Sequence, residues 1–227
     1  MTPAFPPPKQ EAIAQGKTNQ ASANGTAPAD LPFSGGKAER LDLYQVNLDG
    51  ADLADAYLVG VLFTNARLRE TSLKGAWLQR ADLRGADLRG ADLQGANFTG
   101  ASLNRSDIRG ADLRGAGLDE TLLTVALYDQ ETQWPEGFNH RRCGAIGPRA
   151  QLGGAYLHTV NCRGADLSGA NFLGAYLSGA DFTGANLADA AFSSADLRRA
   201  SFTGAYLVNA RFNSAQLDQV DFRGADL

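Results

Sequence analysis

Residues 81–100 read ADLRG, ADLRG, ADLQG, ANFTG: four consecutive blocks of five, from Ala81-Asp82-Leu83-Arg84-Gly85 to Ala96-Asn97-Phe98-Thr99-Gly100. Each block holds a small residue, then Asp or Asn, then a large apolar residue, then two positions that are polar or Gly. Outward from this stretch the frame persists. Large apolar residues recur at every fifth position from Leu43 to Leu123, seventeen of them, and again from Leu152 to Leu227, sixteen more. Of these 33 central positions 23 are Leu and 8 are Phe, the others being Ile108 and Cys162. Two residues earlier stands Ala in 25 of the 33, with Leu41, Val46, Val61, Thr71, Ser106, Thr121, Val160 and Val220 as exceptions.

Two inward residues separated by one outward residue make a short extended segment. The remaining two, rich in Gly, Asn and Asp, turn the chain without steric penalty. A period of five matches neither an α-helix nor a long strand. It matches a coil that turns a corner every five residues. Four corners close a square, so one coil takes twenty residues and successive coils pair as parallel strands. The aromatic residues support the twenty-residue step. Phe172, Phe182, Phe192, Phe202, Phe212 and Phe222 recur every ten residues, which puts alternate phenylalanines on opposite walls and Leu on the other two.

With its A(D/N)LxG motif over residues 41–128 and 150–227, the chain resembles the pentapeptide repeat proteins. That resemblance implies an all-β fold: a right-handed quadrilateral β-helix, a pentapeptide repeat solenoid of about eight coils for 33 repeats. The frame slips once, because 29 residues separate Leu123 from Leu152. The expected organisation is therefore a disordered N-terminal tail over 1–38, a first β-helix half over 39–128, one insert loop over 129–149, and a second half over 150–227. The tail reads FPPPKQ and then QGKTNQASANGTAPAD, polar and without period; Leu31 and Phe33 are placed to cap the first coil. Tyr128, Asp129, Thr132, Trp134, Pro135, Gly137 and Phe138 in and beside the insert resemble a YDxxTxWPxGF element of cyanobacterial pentapeptide repeat proteins. This implies a cyanobacterial source and a structural role more than a chemical one. A loop of this length is expected to pack its aromatics on the coil. The final block, Arg223-Gly224-Ala225-Asp226-Leu227, stops in mid-repeat. An uncapped last coil is a candidate for end-to-end homodimer formation.

Composition narrows the function classes. There are 21 basic and 25 acidic side chains, a net charge of −4, which argues against nucleic-acid binding through a bulk positive field. No apolar run approaches the length of a membrane span. Two cysteines cannot form a disulfide framework, so a cytoplasmic location is expected. No GxSxG, P-loop or GxGxxG stands at a strand–helix junction, and Asp recurs in so many repeats that no acid–base pair is singled out. The chain is expected to have no catalytic residues, no cofactor and no metal. His140 and Cys143 form an H-x2-C pair, but with His158 and the core-position Cys162 they fall short of a convincing zinc set.

The surface candidates are therefore contacts for a protein partner. Arg69, Arg89 and Arg109 are twenty apart and fall in one column beside Asp49, Asp87 and Asp107: either a solvated wall of compensating charges or a partner-binding ladder. Tyr57 with Trp77, and Tyr156 with Tyr176, stack by the same rule and are interface anchors or ordinary cross-strand ladders. Trp134 and Phe138 of the insert complete the set. The resemblance adds two expectations. Some family members regulate through protein contacts, and the quinolone-resistance proteins of this fold mimic DNA toward a topoisomerase. A mimic needs a predominantly negative face, whereas Arg69, Arg80, Arg84, Arg89, Arg105, Arg109 and Arg114 interrupt the Asp residues here. The sequence thus points to a non-catalytic interaction scaffold, with a topoisomerase (gyrase) inhibitor or a self-assembling rod as the alternatives.

Overall fold

In the computed structural model, which describes residues 41–227, the five-residue frame is written into the backbone hydrogen bonds. The tail at 1–38, with the capping role of Leu31 and Phe33, lies outside the described residues. Leu83 N–H donates to the Ser102 carbonyl at 2.8 Å and Ser102 N–H donates back to the Ala81 carbonyl at 2.9 Å. Each side of the coil therefore touches the next coil through one parallel bridge. The step is twenty residues: Asp82 pairs with Leu62 and Ser102, and Asp181 with Asn161 and Ser201. Four bridge columns interleave at five-residue spacing, which is the four-sided coil that the sequence predicts. Among the described residues the only helical element is a 3-10 turn, His140–Arg142.

The corners follow from the same frame. Ala86 N–H donates to the Leu83 carbonyl at 3.0 Å, which closes a turn through Arg84 and Gly85, and Gly85 sits at φ +68°. That left-handed conformation at the third residue of the turn is why Gly is favoured there. The residue before the central one has a second task. Asp82 Oδ1 accepts the N–H of Arg84 at 3.2 Å, and Asn97 Oδ1 accepts that of Thr99 at 3.0 Å. This outward-facing amide has no ladder partner, so Asp or Asn, the side chains that bond the backbone two residues on, recur at this position.

Inside, Ala and the central residues are almost entirely buried up to Leu207, whereas in the last coil Leu217 and Leu227 are exposed. The phenylalanines form two stacked walls. Phe172, Phe192 and Phe212 lie face to face at 4.9 and 5.1 Å, as do Phe182, Phe202 and Phe222 at 5.0 and 5.2 Å. Between walls the rings meet edge to face, Phe192 and Phe202 at 5.5 Å and 88°. Such geometry adds aromatic pairing to plain burial. Where a hydroxyl replaces the inward Ala it bonds a core carbonyl: Thr71 Oγ1 to Leu48 O at 2.7 Å, Ser106 Oγ to Leu103 O at 2.8 Å, Thr121 Oγ1 to Phe98 O at 2.9 Å.

The chain divides into two compact units. Among the described residues the first runs through Leu123 and takes in Glu131–Phe138; the second comprises Thr124–Gln130 and Asn139–Leu227. Within the segment read as one insert loop, 129–149, the coil pairing continues in pieces. In the first unit Gln133 bridges Asp112 at a step of 21, and Thr132 Oγ1 donates to Ile108 O. In the second unit Ile146 bridges Leu127 at a step of 19. Against the frame before the insert Gln133 is one residue late and Ile146 one residue early; the early register is the one that Gln151, Tyr156 and Asn161 continue, which is how 29 residues replace 30.

The second unit is held at this point by Tyr128, which lies five residues past Leu123 and so occupies a central position of the repeat. It is buried, and its hydroxyl donates to the Pro148 carbonyl at 2.7 Å. A Cβ on Gly147 would meet the Tyr128 ring at 2.7 Å, closer than packed carbon atoms tolerate.

Two stability predictions follow. Phe202→Ala should cost ~3–5 kcal/mol in denaturant unfolding, whereas Asp87→Ala on the outer surface should cost ~1 kcal/mol or less; equal midpoint shifts would contradict the inside–outside assignment. Gly147→Ala should destabilise by ~1–3 kcal/mol through overpacking against Tyr128, and Gly147→Ala combined with Tyr128→Leu should recover part of that loss.

Candidate functional site

The outward surface consists of columns whose members repeat every twenty residues, and each candidate can be placed on one. Tyr57 and Trp77 are bridge partners on adjacent coils of the first unit, with Tyr57 41% exposed. Tyr156 and Tyr176 are bridge partners in the second unit, and their rings stack at 4.6 Å with planes 2° apart. Tyr156 is 77% exposed, and the His158 ring lies 6.0 Å from that of Tyr176. In the insert, Trp134 and Phe138 stack on each other at 5.4 Å, both half-buried, within the first unit. The Tyr156–Tyr176 pair thus presents the largest aromatic surface of the three.

Arg69, Arg89 and Arg109 do form one column, threaded by carboxylates. Asp49 accepts from Arg69 at 2.6 Å, Asp87 from Arg89 at 2.7 Å and Asp107 from Arg109 at 2.5 Å. Asp49 and Arg69 already join adjacent coils; the other links between coils, Arg69 to Asp87 and Arg89 to Asp107, are looser, both at 3.7 Å. Arg84, Arg114, Arg198 and Arg223 repeat the fork, each bonding the Asp two residues before it. The guanidiniums act on the carboxyls. The Arg84 hydrogen bond outweighs burial and holds Asp82 below the usual carboxylate range; Arg114 does the same for Asp112, and Arg198 for Asp196. At Asp87 burial pushes upward, but bonds from Arg89 and the charge of Arg69 bring the net shift down.

The soft ligands stay apart in their contacts. The Cys143 thiol donates to the backbone carbonyl of His140 at 2.9 Å, and burial raises its pKa. The His140 ring meets Tyr128 edge to face at 5.6 Å. Cys162 fills a core position, where burial pushes its thiol up to about 12. Among the described residues no three His, Cys, Asp or Glu side chains gather as a metal site, and no helix is long and apolar enough to cross a membrane. Two features escaped the sequence reading. Tyr128 was legible from its place in the frame; the unpaired arginines of the insert, described below, were not, because pairing depends on where the coil returns.

Comparison with known proteins bears on this architecture. The family described as "Pentapeptide repeats" matches residues 47–85 and 81–119, and that described as "Pentapeptide repeat region" matches residues 148–223. Together these spans cover about two thirds of the chain. Solved structures similar to it include a pentapeptide repeat protein, Rfr23, from the cyanobacterium Cyanothece 51142, at 42% identity over 43% of this chain and 67% of that one, with a TM-score of 0.43. Another is alr5209, a pentapeptide repeat protein from Nostoc PCC 7120, at 32% identity over 47% and 84%, TM-score 0.37. A third is HetL, a pentapeptide repeat protein involved in heterocyst differentiation regulation in Nostoc sp. strain PCC 7120, at 27% identity over 82% and 89%, TM-score 0.27. No curated protein matches the chain.

The carboxylate shifts set a pH dependence. Asp82, Asp112 and Asp196 have folded pKa values below their unfolded ones. Their stabilisation is present above the unfolded value of about 4 and is lost as pH falls through the folded values. The arginines of these pairs are more than half exposed, so each contribution is small. The melting temperature should therefore be level from about pH 8 to 5 and fall below about pH 4; a main loss between pH 7 and 5 would contradict this assignment.

Proposed function

The chain belongs to the pentapeptide repeat family and has its right-handed β-helix fold; from that premise we propose that it is a non-catalytic protein-interaction scaffold, built of about eight four-sided coils, that presents flat coil faces to a protein partner. The observation that carries this reading is the exposed, stacked Tyr156–Tyr176 pair. Two large rings held 4.6 Å apart on a rigid backbone lose little conformational freedom when covered, and Tyr is among the side chains that dominate interface energetics. The lowered carboxyls Asp82, Asp87, Asp112 and Asp196 are accounted for by neighbouring guanidiniums.

A DNA-mimicking topoisomerase inhibitor gains no support from this surface. Such a mimic needs unneutralised negative charge at phosphate-like spacing, whereas Asp49, Asp82, Asp87, Asp107 and Asp112 are each bonded to an arginine.

The test is affinity capture from the source organism. Proteins retained by the intact chain should be lost with Tyr156→Ala, Tyr176→Ala, and reduced with Trp134→Ala, Phe138→Ala if the insert takes part. The same retained set from all three proteins would remove these aromatics from the proposed surface, and no specifically retained protein would remove the scaffold reading.

A further inference from the structure

In the second unit charge is distributed unevenly over the four sides. The sides that contain Tyr156, Cys162 and Leu167 continue downward with carboxylates: Asp196 and Asp218 on the first, Asp181 and Asp221 on the second, Asp166, Asp189 and Asp226 on the third. The fourth side, residues 150–154, 170–174, 190–194 and 210–214, holds none. Its columns run through Gln151, Asn171, Ala191 and Arg211, joined by bridges. Gln151 and Asn171 bond each other, side chain to side chain, at 3.2 Å, which leaves the side flat and uncharged along its middle.

Arginine stands at both ends of this side. Arg141 offers its carbonyl to Gln151 N–H at 2.7 Å, so the basic turn His140–Arg142 lies directly above it. Arg149 precedes Gln151 by two residues and accepts from its side chain, and its stem covers the corner at Gly169, where a Cβ would lie 3.4 Å away. Arg141, Arg142, Arg149 and Arg211 are all exposed. Among the described residues none of the four pairs with a carboxylate, whereas Arg163, Arg198 and Arg223 of the same unit are each clamped to an Asp. A guanidinium with an Asp nearby is neutralised before any partner arrives; these four are not. Leu173, 53% exposed, stands midway down the side, and the Tyr156–Tyr176 pair flanks it on the adjoining side.

We infer that this carboxylate-free side, with its arginines and Leu173, is the docking surface for an extended acidic segment of a partner protein. The inference rests on the interaction-scaffold reading and names the partner's chemistry. Acidic side chains of the segment pair with Arg141, Arg142 and Arg149, which lose no competing carboxylate on binding. An apolar side chain of the segment covers Leu173 and the edge of Tyr176. The side through Leu167 carries Asp166, Asp189 and Asp226 with no arginine and repels the same segment, while on the other two sides aspartates and arginines are equal in number, so charge selects the face as well as strengthening the contact.

The experiment is a fluorescence-anisotropy titration of the full chain, at about 0.1 M salt, with a labelled peptide of Glu and Asp around one Leu. A Gln/Asn peptide of the same length and a single-stranded DNA of equal charge serve as comparators. Arg141→Glu, Arg142→Glu, Arg149→Glu should weaken acidic-peptide binding about tenfold or more, while Arg80→Glu, Arg105→Glu, exposed arginines of the first unit, should change it less than about twofold. Equal loss in both variants, equal binding of the neutral peptide, or tighter binding of the DNA would each overturn the inference. Affinity capture separates it from the broader reading. Partners retained undiminished by the triple variant would leave the scaffold intact and this surface refuted. Site-specific peptide binding by a chain that retains no partner would uphold the surface and refute the scaffold.

Discussion

In the block 81–85 every amide has its own acceptor, and the rest of the molecule depends on that accounting. Ala81 donates to Leu78 across the turn, Asp82 to Val61 on the coil before, and Leu83 and Gly85 to Ser102 and Asn104 on the coil after. The fifth amide, that of Arg84, goes to the side chain of Asp82. A chain with such short extended segments cannot satisfy its backbone within one coil; it needs a neighbour at fixed register. Twenty residues per coil is thus a hydrogen-bonding requirement, and departures from it must be repaired locally. The insert shows the repair: one pairing a residue late, one a residue early, and Tyr128 filling the core beside Gly147.

The same register decides what the surface can be. Once residues twenty apart are stacked, any preference at one position becomes a column. Phe at alternate sides becomes two stacked walls, Tyr156 above Tyr176 becomes an aromatic pair, and Asp two residues before Arg becomes a row of neutralised forks. Function on this scaffold arises where a column departs from the rule. The side of the second unit without carboxylates is such a departure, and Arg141, Arg142 and Arg149 at its end are bonded to no carboxylate among the described residues.

Much of this was legible in the residues. The central Leu and Phe, the inward Ala, the corner Gly and the twenty-residue step all follow from one period, and the ten-residue recurrence from Phe172 to Phe222 foretold the two walls. The recurrent Asp was read as outward charge, and its bond to the amide two residues on was not foreseen, because that role appears only when the ladder partners of the other four amides are known. The insert was read as a single loop because its frame is broken; the pairings of Gln133 and Ile146 need coordinates. Likewise, sequence spacing placed Arg69, Arg89 and Arg109 in a column but could not show that carboxylates occupy them while Arg141, Arg142 and Arg149 stand unpaired.

The twenty-residue register can be tested by crosslinking. Asp181 and Ser201 are parallel bridge partners on adjacent coils, while Asp181 and Ala191 lie half a coil apart in sequence. In a background of Cys143→Ser, Cys162→Ala, mild oxidation of Asp181→Cys, Ser201→Cys should give an intramolecular disulfide, since paired strands hold their Cα atoms about 4.8 Å apart, within the range a disulfide spans. Asp181→Cys, Ala191→Cys should stay reduced. Equal crosslinking of the two, or preference for the ten-residue pair, would contradict the four-sided coil on which the account rests.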